Sequence, residues 1–221
     1  MLFQGFNMFH RFSLLTCGLL LTALPAWASV IAPDPSLPST VGAYYTAPGV
    51  TVTYHVGASI FDLTNIVHQP LFNPPVQESY SGNNAIELFE TVLYAMLSVD
   101  GGPAVPVTLT GPATVTIIDR VGHTTGIFAT EMTDLQLHSA DNSVLVRESP
   151  TQSSNGETSV TDNGNGQYRI ESFFDVFTEL SLDNGQTWVA AESDERVTLM
   201  PEPASLAALA TGSLLLLRRK R

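Results

Sequence analysis

The stretch VTLTGPATVTII (residues 107–118) alternates apolar side chains with threonine over most of its length. A period of two places one set of side chains on the buried face of a sheet and the other set on its exposed face. VTVTYHV (residues 50–56) repeats the pattern, and turn-forming pairs such as Asn163-Gly164 and Asn184-Gly185 separate segments of this kind. The pattern predicts an all-β protein, an antiparallel β-sandwich of the general jelly-roll or immunoglobulin-like architecture.

Two segments fit this pattern less well. Residues 86–96 suit a helix by the spacing of Ile86, Phe89 and Leu93, but their alternation also suits a strand. We favour a strand, because glycine and proline clusters flank the segment closely and its neighbours are strands. Residues 65–84 contain three prolines and are predicted to form a long loop.

A hairpin is predicted in residues 159–191, with turns at 162–166 and 183–185. Its second turn matches the Asp-box pattern S-x-D-x-G-x-T-W, which resembles the hairpins of sialidase propeller blades. Asp183 is expected to accept hydrogen bonds from the turn, Gly185 to take the left-handed position, and Trp188 to pack beneath, with Ser181 opening the motif. The sequence holds one such box, so we interpret it as a structural hairpin.

The acidic residues of this chain, whose formal net charge is −12, are concentrated in its middle. All 21 lie from Asp34 to Glu202, where the basic residues are Arg120, Arg147, Arg169 and Arg196. Such a surface repels phosphate backbones, so nucleic acid is not an expected partner. The single cysteine, Cys17, precedes this region, which excludes a disulfide or a thiolate site in the middle.

The N-terminal segment MFHRFSLLTCGLLLTALPAWASV (residues 8–30) has the parts of a secretory signal: a basic start, an apolar helix-forming stretch and small residues at Ala26 and Ala28. Cleavage is predicted after Ala28, which makes residues 1–28 the signal peptide. The Sec machinery and signal peptidase are therefore expected partners. A buried N-terminal helix and a lipoprotein site at Cys17 are the alternatives.

The C-terminal segment, residues 201–221, starts with a Pro-Glu-Pro tripeptide, continues as a short apolar run that is predicted to be helical and ends in four basic residues. The tripeptide is Pro201, Glu202 and Pro203. The basic residues are Arg218, Arg219, Lys220 and Arg221. The apolar run is shorter than the about 20 residues that cross a bilayer, and the basic end favours the cytoplasmic side. The prolines prevent regular hydrogen bonding, so the tripeptide is expected to be extended and accessible to a protease. An ordinary anchor or an amphipathic helix is the alternative.

This arrangement resembles the PEP-CTERM sorting signal of Gram-negative bacteria. The resemblance implies recognition by an exosortase, a membrane-embedded enzyme, with removal of the tail near the tripeptide. It also implies a bacterium that makes an exopolysaccharide matrix. The sequence from Gly122 onward, including YRIESFFDVFTELSLDNGQTW, resembles a body found on other secreted PEP-CTERM proteins, which implies a location and no activity.

Catalytic and metal-binding motifs are missing from the sequence. His55, His68, His123 and His138 have no metal-ligand spacing, and there is no nucleophile elbow, phosphate loop or dinucleotide glycine pattern. The protein is therefore predicted not to be an enzyme and to hold no cofactor. The oxygen-rich turn TDNGNG (residues 161–166) leaves a calcium site open as an alternative.

These observations divide the chain into four segments. Residues 1–28 are the signal peptide, 29–48 a proline-rich lead-in, 49–200 the β-sandwich domain and 201–221 the sorting signal. The expected route is export, an intermediate anchored in the inner membrane, and then the cell surface or the medium.

The expected role is that of a non-catalytic component of the cell surface or of the exopolysaccharide matrix. One alternative is a secreted polysaccharide hydrolase. The other is a carbohydrate-binding module, which requires an exposed flat platform formed by one or more of these aromatic residues: Tyr44, Tyr45, Tyr54, Tyr80 and Trp188.

Overall fold

The structure, a computed structural model, describes residues 29–201, which form fourteen β-strands and no helix. The strands are β1 (Val30–Ala32), β2 (Ala43–Thr46), β3 (Thr51–Val56), β4 (Ser59–Leu71), β5 (Gln77–Ser81), β6 (Asn84–Val99), β7 (Val105–Ile117), β8 (Gly126–His138), β9 (Leu145–Glu148), β10 (Ser154–Gly164), β11 (Gln167–Val176), β12 (Thr178–Ser181), β13 (Val189–Ala190) and β14 (Glu195–Met200). Nothing in this range is a helix of the length and apolarity needed to cross a membrane. The predicted signal helix and C-terminal apolar helix lie outside the described residues.

The alternating segments form strands as predicted. In β7, Leu109, Val115 and Ile117 are buried, while the threonines between them face outward or lie at the surface. The ambiguous residues 86–96 belong to β6, which confirms the strand prediction.

The loop predicted for residues 65–84 is wrong. Strand β4 runs on to Leu71 and β5 follows after five residues, both paired with β6. Pro70 is compatible with this pairing because of the short contact on the other side of β4. There β2 pairs with β4 only at Val67 and His68, so it does not reach Pro70. Proline has no backbone N–H to donate, but no strand on the β2 side of Pro70 needs a hydrogen bond from it.

The β-sandwich prediction is also wrong, because eight strands pair into a closed antiparallel barrel. The ring runs β2-β4-β6-β7-β8-β10-β11-β14 and returns to β2. It closes through β14 and β2, where Val197 is opposite Thr46 and Met200 opposite Ala43. A sandwich has two sheets with free edges, whereas here each of the eight strands has a neighbour on both sides.

The barrel is extended at one end by a second tier of short strands. Strand β8 pairs with β10 up to Met132 and with β9 from Gln136 onward. Strand β12 continues the direction of β11 and pairs with β9 and β13. The amide of Glu192, just after β13, donates to the carbonyl of Thr53 in β3 at 3.0 Å. The inward side chains of both tiers form one hydrophobic core.

The opposite end of the barrel is covered by the proline-rich lead-in. Strand β1 pairs with β11, β2 belongs to the ring, and the residues between them cross the barrel mouth. Within this crossing we define residues 35–39 as the plug, in which Leu37, Pro38 and Ser39 are buried. The lead-in is therefore packed against the barrel along its first eighteen residues, up to the end of β2.

Candidate functional site

The barrel contains an internal cavity just beneath the plug. Its volume is about 40 Å³, counted as space open to the centre of a water molecule. One water needs about 10–15 Å³ on this scale, so the cavity has room for about three waters. The lining is mostly apolar and comes from inward-facing residues of β6, β7, β8, β11 and β14: Phe89, Ala113, Val115, Met132, Phe174 and Val197.

Two polar atoms in this lining, Thr130 Oγ1 and His68 Nε2, have no hydrogen-bond partner among the described residues. Thr130 in β8 is only 2% exposed, and its Oγ1 makes no hydrogen bond to any described residue. The other inward threonines are satisfied: Thr91 Oγ1 donates to the Gln69 carbonyl at 3.0 Å, and the hydroxyls of Thr158 and Ser172 lie 2.8 Å apart. Because buried polar groups are nearly always paired, the Thr130 hydroxyl is an exceptional group in the cavity wall.

A carboxyl group forms part of the cavity wall near the mouth. Glu87 occupies an inward position of β6 between Ala85 and Phe89 and is 7% exposed. Burial raises the pKa of this carboxyl to about 7, the charge of Glu78 on β5 adds to the increase, and Arg120 opposes it. Glu87 therefore changes its protonation state near neutral pH.

The plug separates the cavity from an open cleft of about 440 Å³ on the outside. Leu37, Pro38 and Glu87 line both spaces and so form the wall between them. The Nη2 atom of Arg120 donates to the Pro35 carbonyl at 2.7 Å, and its guanidinium carbon lies 4.9 Å from the centre of the Phe128 ring. Arg120 thereby fixes the plug to the loop between β7 and β8.

A second buried polar group lies deeper in the barrel. His68 Nε2 is 3.8 Å from Glu195 Oε1, with side-chain exposures of 8% and 2%. His68 Nε2 and Glu195 Oε2 have no hydrogen-bond partner among the described residues. Below them the hydroxyls of Tyr54 and Thr178 are 2.7 Å apart, and burial, with the charge of Glu195, raises the pKa of Tyr54. This polar layer separates the cavity from the core of the second tier.

A second groove on the outer surface contains the ring of Trp188. It has a volume of about 530 Å³ and is lined by Trp188, Arg147 and polar residues of β8, including Asp134 and Gln136. The guanidinium of Arg147 lies 4.2 Å from the centre of the Trp188 ring, and its Nε and Nη2 both donate to Glu179 Oε2. We call this the Trp188 groove.

The predicted Asp-box residues come together in the turn beside this groove. Asp183 accepts hydrogen bonds from Ser181 Oγ, from the amides of Gln186 and Thr187, and from Thr187 Oγ1. Gly185 has a φ of 79°, and its carbonyl accepts from Trp188 Nε1 at 3.1 Å. The hydrogen bonds from Thr187 and Ser181 lower the pKa of Asp183 to about 2.

Replacing Asp183 with alanine is expected to loosen this turn and to alter the acid stability of the protein. A carboxyl whose pKa is lowered in the folded state stabilises the fold above its unfolded pKa of about 4, and this stabilisation is lost as the pH falls through about 2. The Asp183→Ala variant should therefore have a lower melting temperature than the wild type at pH 7, and the gap should narrow between pH 4 and pH 2. The control is Asp162→Ala, which removes the acceptor for the Gly164 amide in the other turn. If the difference in melting temperature between the wild type and Asp183→Ala stayed constant from pH 4 to pH 2, the prediction would be contradicted.

The aromatic residues named for a carbohydrate-binding platform differ in their exposure. Tyr44 and Tyr54 point into the barrel and are buried, whereas Tyr80 is exposed on β5. Tyr45 is half-buried in β2, and Trp188 lies half-buried in its own groove. Of these residues, Trp188 is the one that shares a groove with several polar side chains.

The other predicted residues have these positions. Pro201 is exposed directly after β14, while Glu202, Pro203, Arg218, Arg219, Lys220, Arg221, Ala26 and Ala28 lie outside the described residues. His55 pairs with Glu192 at 2.6 Å. Residues 29–201 contain no cluster of three or more His, Cys, Asp or Glu that could hold a metal ion. The absence of a cofactor stays a prediction, and calcium binding at residues 161–166 stays the alternative to it.

Sequence reasoning missed the residues that define the cavity. A usable signal exists, because Glu87 and Thr91 share the odd-numbered phase of Ala85, Phe89 and Leu93, and this phase faces inward. A polar residue at a strand position whose alternate neighbours are apolar is therefore expected to have a buried side chain. Comparisons with protein-family models, with curated proteins and with solved structures gave no match for this chain.

Proposed function

We propose that this chain is an exported, non-catalytic protein of the bacterial surface, sorted by an exosortase through its C-terminal segment and associated with the exopolysaccharide matrix. The Sec machinery and signal peptidase remove residues 1–28, and residues 201–221 hold the protein transiently at the inner membrane. The exosortase then acts near Pro201, Glu202 and Pro203, with Arg218 to Arg221 keeping the end of the tail on the cytoplasmic side.

The observation that carries this proposal is the position of the barrel within the chain. The first strand that pairs with the barrel, β1, begins at Val30, two residues after the predicted cleavage at Ala28, and the first strand of the ring, β2, begins at Ala43. Its last strand ends at Met200, and the next residue, Pro201, is exposed. The pairing of the ring uses no residue of either predicted signal, so both can be removed without loss of a barrel strand.

The proposal is tested by the mass and location of the protein in a host with and without its exosortase. We expect the wild type to lose its tail and leave the inner membrane when the exosortase is present, and to stay full-length and membrane-bound when it is absent. Replacing Arg218, Arg219, Lys220 and Arg221 with serine should block processing. Arg169→Ser, on the exposed face of β11, is the control and should be processed normally. Equal mass and location in all of these strains would refute sorting by the tail.

The Trp188 groove favours a carbohydrate-binding module as the second candidate. The indole of Trp188, with the Arg147 guanidinium over one face, lies in a groove with Asp134 and Gln136, and this combination offers the apolar contact and hydrogen bonds that sugars use. The released protein from the sorting experiment can be applied to arrayed glycans. Retention there, together with no turnover of the glycan, supports this candidate. Turnover would instead support the hydrolase alternative.

A further inference from the structure

Most of the buried polar atoms that lack a partner are gathered around the internal cavity. Residues 29–201 contain four such side-chain atoms: His68 Nε2, Arg120 Nη1, Thr130 Oγ1 and Glu195 Oε2. His68 and Thr130 line the cavity, and Glu195 Oε1 lies 3.8 Å from His68 Nε2. Arg120 lines the outer cleft on the other side of the plug. Three of the four atoms therefore belong to the cavity wall or to the pair beneath it.

Such atoms are rare in folded proteins, because a buried polar group that loses its bonds to water needs a replacement for them. The replacement is another protein group or an ordered water molecule. Thr130 Oγ1 and His68 Nε2 receive no bond from the described residues, and the two residues are only 2% and 6% exposed. A bound water is therefore the natural partner for both.

The cavity has the size of a small group of waters. Its volume of about 40 Å³ holds about three of them, at about 10–15 Å³ for each. Cavities that stay dry have apolar walls. This wall differs, because it carries polar side chains on three strands: His68 on β4, Glu87 on β6 and Thr130 on β8.

These side chains can supply the hydrogen bonds that buried waters require. A buried water makes about three hydrogen bonds. The Glu87 carboxyl offers two oxygens, and the Thr130 hydroxyl can both donate and accept. The Thr91 hydroxyl donates to the Gln69 carbonyl at 3.0 Å, and its oxygen can accept in addition. A small cluster of waters therefore finds enough partners on the wall and among its own members.

We propose that the barrel interior binds a cluster of about three water molecules, held by His68, Glu87 and Thr130 and covered by the plug. One water bonds to the Thr130 hydroxyl and another to His68 Nε2. The cluster thereby connects β4, β6 and β8 across the interior and gives the buried His68–Glu195 pair a polar neighbour. The site is independent of the sorting signal and of the Trp188 groove.

The test is the nuclear Overhauser effect between water and the amide protons of the ¹⁵N-labelled full-length protein. Water that stays bound while the protein tumbles gives cross-peaks of one sign, whereas fast-exchanging surface water gives weak cross-peaks of the other sign. We expect the bound-water signal at amides of the cavity-lining residues of β4, β6 and β8, including His68 and Thr130. The absence of this signal at these amides would overturn the proposal.

Three substitutions identify the waters. Ala113→Leu adds three carbon atoms to a residue of the cavity wall and should remove the bound-water signal throughout. Thr130→Val keeps the shape and removes the hydroxyl, so the signal should fall at β8 and persist at β4 beside His68. Thr133→Val, on the exposed face of β8, is the matched control and should give the wild-type signals. Signals that stay the same in all three variants would place the waters elsewhere and refute the proposal.

A second measurement distinguishes a hydrated cavity from a dry one. Xenon binds in dry apolar cavities, so we expect xenon to cause no saturable amide shifts at the lining residues of the wild type. Saturable shifts there would show a dry cavity and overturn the proposal. If Ala113→Leu fails to fold, Thr130→Val decides, because an unchanged bound-water signal at β8 in this variant would refute a water at Thr130.

Discussion

Replacing Gly111 with alanine is expected to lower the free energy of unfolding by about 3–5 kcal/mol or to prevent folding altogether. Gly111 lies in β7 with a φ of 156°, where β8 crosses it closely between the pairs Thr110–His138 and Ala113–Leu135. A Cβ at this position would overlap the carbonyl oxygen of Gln136. This oxygen belongs to the backbone of a barrel strand, so the overlap can be relieved only by moving the strand.

The measurement is urea denaturation of the wild type and the variant, and its control is Gly57→Ala. Gly57 also has a positive φ, of 64°, but an added Cβ there would meet nothing within 4 Å. The Gly57→Ala variant therefore has the backbone strain of a non-glycine residue at positive φ, about 1–2 kcal/mol, but no overlap with a neighbouring strand. Similar losses in the two variants would show that close strand packing at Gly111 does not matter.

Replacing His68 with leucine is expected to lower the free energy of unfolding by about 3 kcal/mol, because Glu195 then remains buried with no basic group near it. The two side chains lie 3.8 Å apart inside the barrel, and both are almost inaccessible to water. The loss should be measurable by urea denaturation at pH 7.

The informative comparison is the double variant His68→Leu/Glu195→Leu. Replacement of a buried pair by apolar groups is often neutral, so the second substitution should recover most of the stability lost in the first. The single variant Glu195→Leu completes the cycle. If the two single losses simply add in the double variant, then His68 and Glu195 do not interact, and the polar layer has another origin.

Several strands and turns of this protein can be predicted from local sequence, although the strands within residues 65–84 were missed. The alternation in residues 107–118 and 50–56 corresponds to β7 and β3, and Asn184-Gly185 lies in a turn, whereas Asn163-Gly164 ends strand β10 and the turn follows at residues 165–166. These features depend on neighbouring residues alone, because side-chain alternation and positive φ are local properties.

The closed barrel cannot be predicted in this way. A sandwich and a barrel both bury every second side chain, and they differ in which strands pair at the edges. The decisive contact joins Val197 to Thr46, which are far apart in sequence and carry no mark of this pairing. The cavity depends on the same closure, although the inward phase of Glu87 could have indicated a buried carboxyl group.

Because β14 completes the ring by pairing with β2, the barrel cannot close until residues up to Met200 have been synthesised and have left the ribosome. At about 5–20 residues per second, translation from Thr46 to Met200 takes roughly ten to thirty seconds. During this time the early strands lack their final neighbour, and non-local pairing of this kind is slow. The topology thus gives the nascent polypeptide a long interval in which it is still loose enough to be threaded through a narrow channel.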